Sequence, residues 1–261
     1  MNRYEGRRAL VTGGGSGIGQ ATVLRLLAEG GSVVAADVSE AGLNDTRTAA
    51  GPLSGQLTTV VMDVSNEASV ERGVAQAAEL LGGLDVLVNA AGILRSSHTE
   101  KTSLSLFEQV IQVNLTGTFL VIRESISHLK AGHNSAVVNF SSTSATFAHP
   151  YMTAYAASKG GIQSMTHALA SEYSKAGIRF TSVQPGSISS GMTDGSGLSK
   201  QNQGPGLPDD MDYDLAGKLV PALGEGFAGP ETVAGVVAML ASDDGKFITG
   251  TEVRIDGGTH F

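Results

Sequence analysis

The sequence predicts an α/β fold, a doubly wound and mostly parallel sheet of about seven strands with helices on both faces. Three observations predict it. Apolar, β-branched runs alternate with stretches of helical periodicity along nearly the whole chain. A glycine-rich turn, Gly13 to Gly19, joins the first such run to the first helical stretch. The 261 residues, 41% of them hydrophobic, suffice for one large domain, and neither a linker nor a repeat divides them.

The elements follow in order. Arg8 to Thr12 reads as a strand and Gly17 to Glu29 as the helix after it. Ser32 to Asp37 is a second strand, followed by an Ala-rich helical stretch to about Ala50. Leu57 to Asp63 is a third strand and Asn66 to Leu81 a helix, with Val70, Val74, Ala77, Ala78 and Leu81 at helical spacing. Asp85 to Asn89 is a short buried strand, and Ser103 to about Ala131 one long helix. Ala136 to Phe140 and Ile178 to Gln184 are strands flanking a helix that carries Tyr155 and Lys159. Glu231 to Ala241 gives a last helix and Glu252 to Ile255 a last strand. Right-handed crossovers then stack these units into an open sheet covered on both sides.

The stretch 187–229 breaks this rhythm: it is rich in glycine, holds an acidic Asp209-Asp-Met-Asp cluster, and is helical only near Leu215 to Leu219. It follows a strand's carboxyl end, where ligands bind in such sheets, and so reads as a lid over a substrate site.

Composition excludes several classes. A net charge of −8, from 25 acidic and 17 basic residues without a like-charged block, argues against nucleic-acid or anionic-membrane partners. The absence of cysteine removes disulfides, thiolate metal sites and a cysteine nucleophile. The histidines at 98, 128, 133, 149, 167 and 260 have no metal-ligand spacing, so no metal is expected. No G-x-S-x-G elbow supports serine hydrolysis. The start has no secretory character and the longest apolar run, Val233 to Ala241, is short of a bilayer span. A cytoplasmic protein is the expectation.

The cofactor half is written in the first unit. A glycine turn between a strand and a helix lets a pyrophosphate approach backbone N–H groups at the helix start. The spacing is G-x-x-x-G-x-G rather than G-x-G-x-x-G. Asp37 ends the second strand, where its carboxylate can accept hydrogen bonds from an adenosine ribose and repel a 2′-phosphate. Ser39 is placed to cap the following helix in its stead. NAD is expected over NADP.

With these residues in order, the chain resembles the short-chain dehydrogenase/reductase family, in its main subfamily of this length. The resemblance covers nearly the whole chain and implies a Rossmann-type sheet in the order 3-2-1-4-5-6-7. Gly13, Gly15, Ser16, Gly17, Ile18 and Gly19 resemble the family's cofactor loop, and Asp63 and Val64 its adenine-reading pair. Asn89, Ala91 and Gly92 are similar to its motif after the fourth strand, with Val113 beside them. Pro185, Gly186 and Ile188 resemble the segment that holds the nicotinamide carboxamide. Asn114, Ser142, Tyr155 and Lys159 match its catalytic tetrad, Tyr155 and Lys159 also touching the cofactor.

The chemistry accounts for the residue types. A free tyrosine has a pKa of about 10, too high for a base near neutrality. Lys159, one helical turn on, should favour the phenolate. Tyr155 then takes a hydroxyl proton as hydride leaves the carbinol carbon, and Ser142 holds the substrate oxygen. By the resemblance, Asn114 supports a water relay to Lys159. An NAD-linked oxidoreductase interconverting a secondary alcohol and a ketone is expected, and the resemblance implies a homotetramer built on the two long helices and the carboxyl-terminal region. The framework also supports a 3-oxoacyl-thioester reductase, or a dinucleotide-binding regulator without turnover. Expected substrate walls are Leu94 to His98, Ser144 to Met152 and the loop from Ser187.

Overall fold

The structure, a computed structural model, describes residues 2–195, 204–224 and 226–260. Its strands are β1 (Arg8–Thr12), β2 (Ser32–Asp37), β3 (Leu57–Val61), β4 (Val86–Asn89), β5 (Ala136–Phe140), β6 (Arg179–Pro185) and β7 (Thr251–Ile255). They form one sheet in the order β3-β2-β1-β4-β5-β6-β7. Every pair is parallel, so the sheet is more uniform than the mostly parallel one expected. Parallel strands need crossovers, and the helices α1 (Gly17–Ala28), α2 (Glu40–Ala50), α3 (Glu67–Leu81), α4 (Leu104–Ile111), α5 (Gly117–Lys130), α6 (Thr153–Glu172) and α9 (Pro230–Ala241) supply them. Between β6 and α9 the described residues include the short helices α7 (Gly191–Asp194) and α8 (Tyr213–Ala216), the latter running into a 3-10 turn, Gly217–Leu219.

Alternation along each strand divides the core into two layers. Val11, Ala35, Val88, Val138 and Val183 face α1 and α9 through Val23, Leu26, Leu27, Val233 and Val237. Their neighbours Leu10, Val34, Leu87, Val137 and Phe180 face α3 and α5 through Val70, Val74, Val121 and Ile122. Central strands buried on both faces read as continuous apolar runs, which is why they were legible.

Ser39 caps its helix as expected, and the structure adds a cap and a stop on α3. Ser39 caps α2 by accepting from Gly42 N, and Asn66 caps α3 by accepting from Ser69 N. Gly82, at φ 68°, ends α3 in the left-handed region.

Most boundaries lie within one or two residues of expectation, and a few departures are informative. β3 stops at Val61 because Met62 and Asp63 turn toward α3, Asp63 N donating to Ser69 Oγ at 3.0 Å. β6 runs one residue further, through Pro185, paired in register with Ile255. The long helix is not uniform: α4 passes through a π-helical turn, Gln112–Thr116, into α5. Leu104–Lys130, taken whole, is long and apolar enough by length and composition to cross a bilayer. Here it packs on α3 and α6, with Val110, Asn114, Leu120 and Val121 buried. Of the segment expected to form a lid, residues 196–203 and 225 lie outside the described residues.

Candidate active site

The carboxyl ends of β1, β4, β5 and β6 open on one cleft of about 400 Å³. Such an edge is where an open parallel sheet receives its ligand. The cleft wall draws on the β1–α1 loop, the ends of β2 and β3, the segments after β4, β5 and β6, and the face of α6.

The glycine loop is shaped by close approach. A Cβ on Gly13 would lie 2.7 Å from Ala91 N, and one on Gly19 would collide with the Gly13 carbonyl. Gly13 and Gly17 hold φ of 68° and 51°, in the left-handed region. No side chain caps the start of α1, and Ser16, Gly17, Ile18 and Gly19 all line the cleft. The loop is pinned from behind by Thr46, whose hydroxyl donates to Gly14 O at 2.8 Å.

Asp37 lines the cleft beside this loop. One carboxylate oxygen accepts from Gly15 N at 3.0 Å and the other from Ser39 N at 2.9 Å. A Cβ on Gly15 would meet the Asp37 carboxyl at 2.9 Å, so that glycine exists to admit the acid. Burial raises the Asp37 pKa, opposed by backbone N–H donors from Ser39, Gly15 and Val38. Asp63 also lines the cleft, one of its oxygens held by Ser65 N at 2.9 Å and Ser65 Oγ at 2.6 Å. Val64, Ala91, Gly92, Val113, Pro185, Gly186 and Ile188 complete this half of the wall. Asn89 does not reach it: its amide is buried in the core, donating to Asn139 Oδ1 at 2.9 Å. Gly15 stands behind Asp37 and takes part through it.

Ser142, Tyr155 and Lys159 meet on the opposite wall. Ser142 Oγ accepts from Ser144 N at 3.2 Å and acts to lower the pKa of the Tyr155 phenol. Lys159 Nζ lies 5.5 Å from the centre of the Tyr155 ring and donates to Phe140 O at 2.7 Å. Burial pushes Tyr155 up to about 12, with Ser142 pulling the other way, and pushes Lys159 down to about 8. Both shifts favour neutral side chains, so the lysine alone does not make a phenolate here. Tyr155 keeps some exposure to the cleft.

Asn114 is fully buried in the π-helical turn, behind the wall. Its Oδ1 accepts from Ile93 N at 2.8 Å, and its Nδ2 donates to Ile93 O and Ser158 Oγ, each at 3.0 Å. Gly92 separates it from Lys159: a Cβ there would sit 3.1 Å from Asn114 Oδ1 and 3.6 Å from Lys159 Nζ. The described contacts make Asn114 a brace for the segment after β4.

The remaining wall combines Leu94, His149, Pro150, Tyr151 and Met152 with Met192, Leu207, Leu219, Val220 and Phe227. Ser144 and Phe147, expected here, are elsewhere: Ser144 is buried, and Phe147 stacks on His260 at 4.3 Å. Tyr151 was legible only as part of a range, yet it ties three segments together. It sits at φ 66°, its carbonyl accepts from Ser97 N, and its hydroxyl accepts from Asp212 N at 2.8 Å. His98 Nε2 meets Asp210 Oδ1 at 2.7 Å, and Ser96 N donates to Pro205 O. The described part of 204–224 is thus docked along the cleft mouth.

A family model for short chain dehydrogenases matches residues 7–201. The chain belongs to the short-chain dehydrogenase/reductase family. Over 256 residues it is 36% identical to a 3-oxoacyl-(acyl carrier protein) reductase of Thermotoga maritima, covering 98% of each chain. A short-chain dehydrogenase of Mycobacterium paratuberculosis, solved bound to NAD, superposes with a TM-score of 0.89 at 27% identity, covering 98% of both chains. Another from Burkholderia cenocepacia, solved with NADP, gives a TM-score of 0.85 at 30% identity over 99% of both. Membership makes this chain an oxidoreductase acting on CH–OH groups with a nicotinamide dinucleotide. The residue geometry suits that group: a glycine cradle at an uncapped helix start, an acid beside it, and a tyrosine–serine pair across the cleft.

Proposed function

We propose that the enzyme interconverts a secondary alcohol and a ketone with NAD, Tyr155 serving as acid and base. What supports this is the gathering of Ser142, Tyr155 and Lys159 on one cleft wall, with Ser142 acting to lower the pKa of the phenol and Lys159 Nζ 5.5 Å from its ring centre. A nicotinamide dinucleotide held by the glycine loop, Asp37 and the segments after β4 and β6 would supply the hydride acceptor or donor. Ser142 Oγ holds the substrate oxygen as a fixed donor to developing negative charge. Tyr155 Oη takes the hydroxyl proton in oxidation and returns it in reduction. Lys159, anchored by the Phe140 carbonyl, presents its charge to the Tyr155 ring. Asn114 holds Ile93, and with it the segment after β4, in place. No metal has a step in this scheme.

The preference for NAD rests on Asp37, whose oxygens face the loop that would carry the adenosine ribose. A 2′-phosphate there would meet a carboxylate, and no Arg or Lys lines that part of the cleft among the described residues. Titration of NADH and NADPH against wild type and Asp37→Ala tests this. NADH should bind wild type at least ~10-fold more tightly, and the variant should narrow the gap. Tighter NADPH binding by wild type would reverse the assignment. In the same assays Tyr155→Phe should lose turnover by at least ~100-fold while still binding NADH.

A 3-oxoacyl-thioester reductase is the second reading, favoured by the 36% identity to the Thermotoga enzyme. In either case segment 187–229 serves as the cover of the substrate side, and the molecule assembles as a homotetramer.

A further inference from the structure

Beyond the catalytic wall, the described residues on the substrate side of the cleft include no charged side chain. Apart from Asp37, Asp63 and Lys159, none of the described residues lining the cleft is an Asp, Glu, Lys or Arg. Leu94, Met152, Met192, Leu207, Val220 and Phe227 make most of that wall. Arg95, next to Leu94, donates from Nη1 to the Leu94 carbonyl at 2.7 Å and does not line the cleft. His149 does line it, and burial together with the neighbouring His260 lowers its pKa to about 4. Its ring is therefore a neutral hydrogen-bonding group at physiological pH, held by Thr143 Oγ1 at 3.2 Å.

The mouth is acidic. Asp209, Asp210, Asp212 and Asp214 lie on the segment docked there. Lys101 pairs with Asp210 Oδ2 at 3.6 Å, and His98 Nε2 meets Asp210 Oδ1 at 2.7 Å. An anion would first meet negative potential and then lose its hydration against an apolar wall where, among the described residues, the one lining cation is Lys159, tied to the Phe140 carbonyl at 2.7 Å. Neutral molecules meet neither penalty, and their hydrocarbon parts gain from burial on the same wall.

Resting on the oxidoreductase reading above, we propose that this pocket takes uncharged alcohols and ketones with a hydrocarbon body. It rejects anionic ones, hydroxy acids and phosphate-bearing thioesters alike. Acyl-thioester reduction on a phosphopantetheine carrier is thereby disfavoured, because the carrier arm would bring its phosphate to the acidic mouth.

Two matched pairs test the proposal under the better-binding dinucleotide: cyclohexanol against hydroxycyclohexanecarboxylate, and ethyl acetoacetate against acetoacetyl-CoA. The neutral member of each pair should show a kcat/KM at least ~100-fold higher. Parity, or the reverse order, overturns the proposal and leaves the hydride-transfer reading standing. Val220→Arg, at an exposed wall position, should raise kcat/KM for the carboxylate about 10-fold. No gain would mean that charge is not what excludes acids. If neither pair turns over while NADH still binds, the activity reading has failed on its own. The NADH complex is then heated with cyclohexanone or with oxocyclohexanecarboxylate. A rise in Tm with the neutral ketone alone supports the pocket chemistry, and any other pattern overturns it.

Discussion

Lys159 shows most sharply how this site sets function against stability. Its ammonium is buried, and burial alone lowers its pKa from 10.5 to about 8. The folded state therefore binds the proton less well than the unfolded chain. Below pH 8 both states are protonated and the folded state carries the full cost of a buried charge. Between pH 8 and 10.5 the folded state gives up the proton first, so this cost disappears as pH rises. The cost is at most about 3 kcal/mol, offset by about 1 kcal/mol from the hydrogen bond to Phe140. Lys159→Met should lose turnover yet melt a few degrees higher than wild type at pH 7, with the gap closing toward pH 10. Melting curves across that range check it; a variant less stable at pH 7 would show that the Phe140 bond and local packing outweigh desolvation. Most residues named from sequence line the cleft because they sit at strand ends and the turns after them, while Asn89, Gly15 and Asn114 do not line it. Phe140 was not legible in the sequence, because it contributes a carbonyl that any residue could supply. Tyr151 was not singled out, since its left-handed backbone has no signal in a side chain that rarely adopts it.

At the scale of elements, β6 and α9 are joined through one side chain. Arg179 opens β6, and its buried guanidinium donates to Leu240 O at 2.7 Å, Ser242 O at 3.1 Å and Ile248 O at 3.4 Å. These carbonyls belong to the end of α9 and the turn after it, where a helix has acceptors to satisfy and favours a cation. Burial lowers the Arg179 pKa, a sign of the desolvation that those bonds offset. Arg179→Gln strands at least part of this set and should cost about 2–4 kcal/mol, read as a lower urea midpoint. Arg179→Lys should recover part of the loss; equal midpoints for all three proteins would mean the carbonyls find other partners. The sequence marked Ile178 to Gln184 as a strand from its apolar pattern, but an arginine at its start gave no hint of capping a helix 60 residues on. The π-helical turn was equally hidden. Ser103 to Ala131 has unbroken helical periodicity, and only the packing of Asn114 against Ile93 and Ser158 shows why the turn widens there.

At the scale of the whole molecule, the long helix through α4 and α5 leaves an apolar stripe that the domain does not cover. Leu104 is 70% exposed and Phe119 47% exposed, with half-buried Ile111 between them at helical spacing. The stripe adds to the buried Val110, Leu120, Val121 and Ile122 in a segment, Leu104–Lys130, apolar enough by length and composition to cross a bilayer. The opposite side of the same helix packs on α3 and α6 and buries Asn114, so leaving the domain for a membrane would dismantle the site. A second copy of the chain can bury the stripe and keep the helix where the chemistry needs it. At the far end of the sheet β7 is a short edge strand, and a short edge limits uncontrolled pairing while leaving a flank for a defined contact. Two separate surfaces of this kind generate a dimer of dimers. Light scattering of the purified protein without detergent should therefore give the mass of four chains. Leu104→Asp combined with Phe119→Asp should halve it or reduce it to one chain, with the circular dichroism spectrum unchanged because both side chains lie at the surface. A wild-type monomer would refute the tetramer and return the stripe to question as a binding face. Tetramers that survive the double substitution would place the contact elsewhere, with the edge of β7 the next surface to alter.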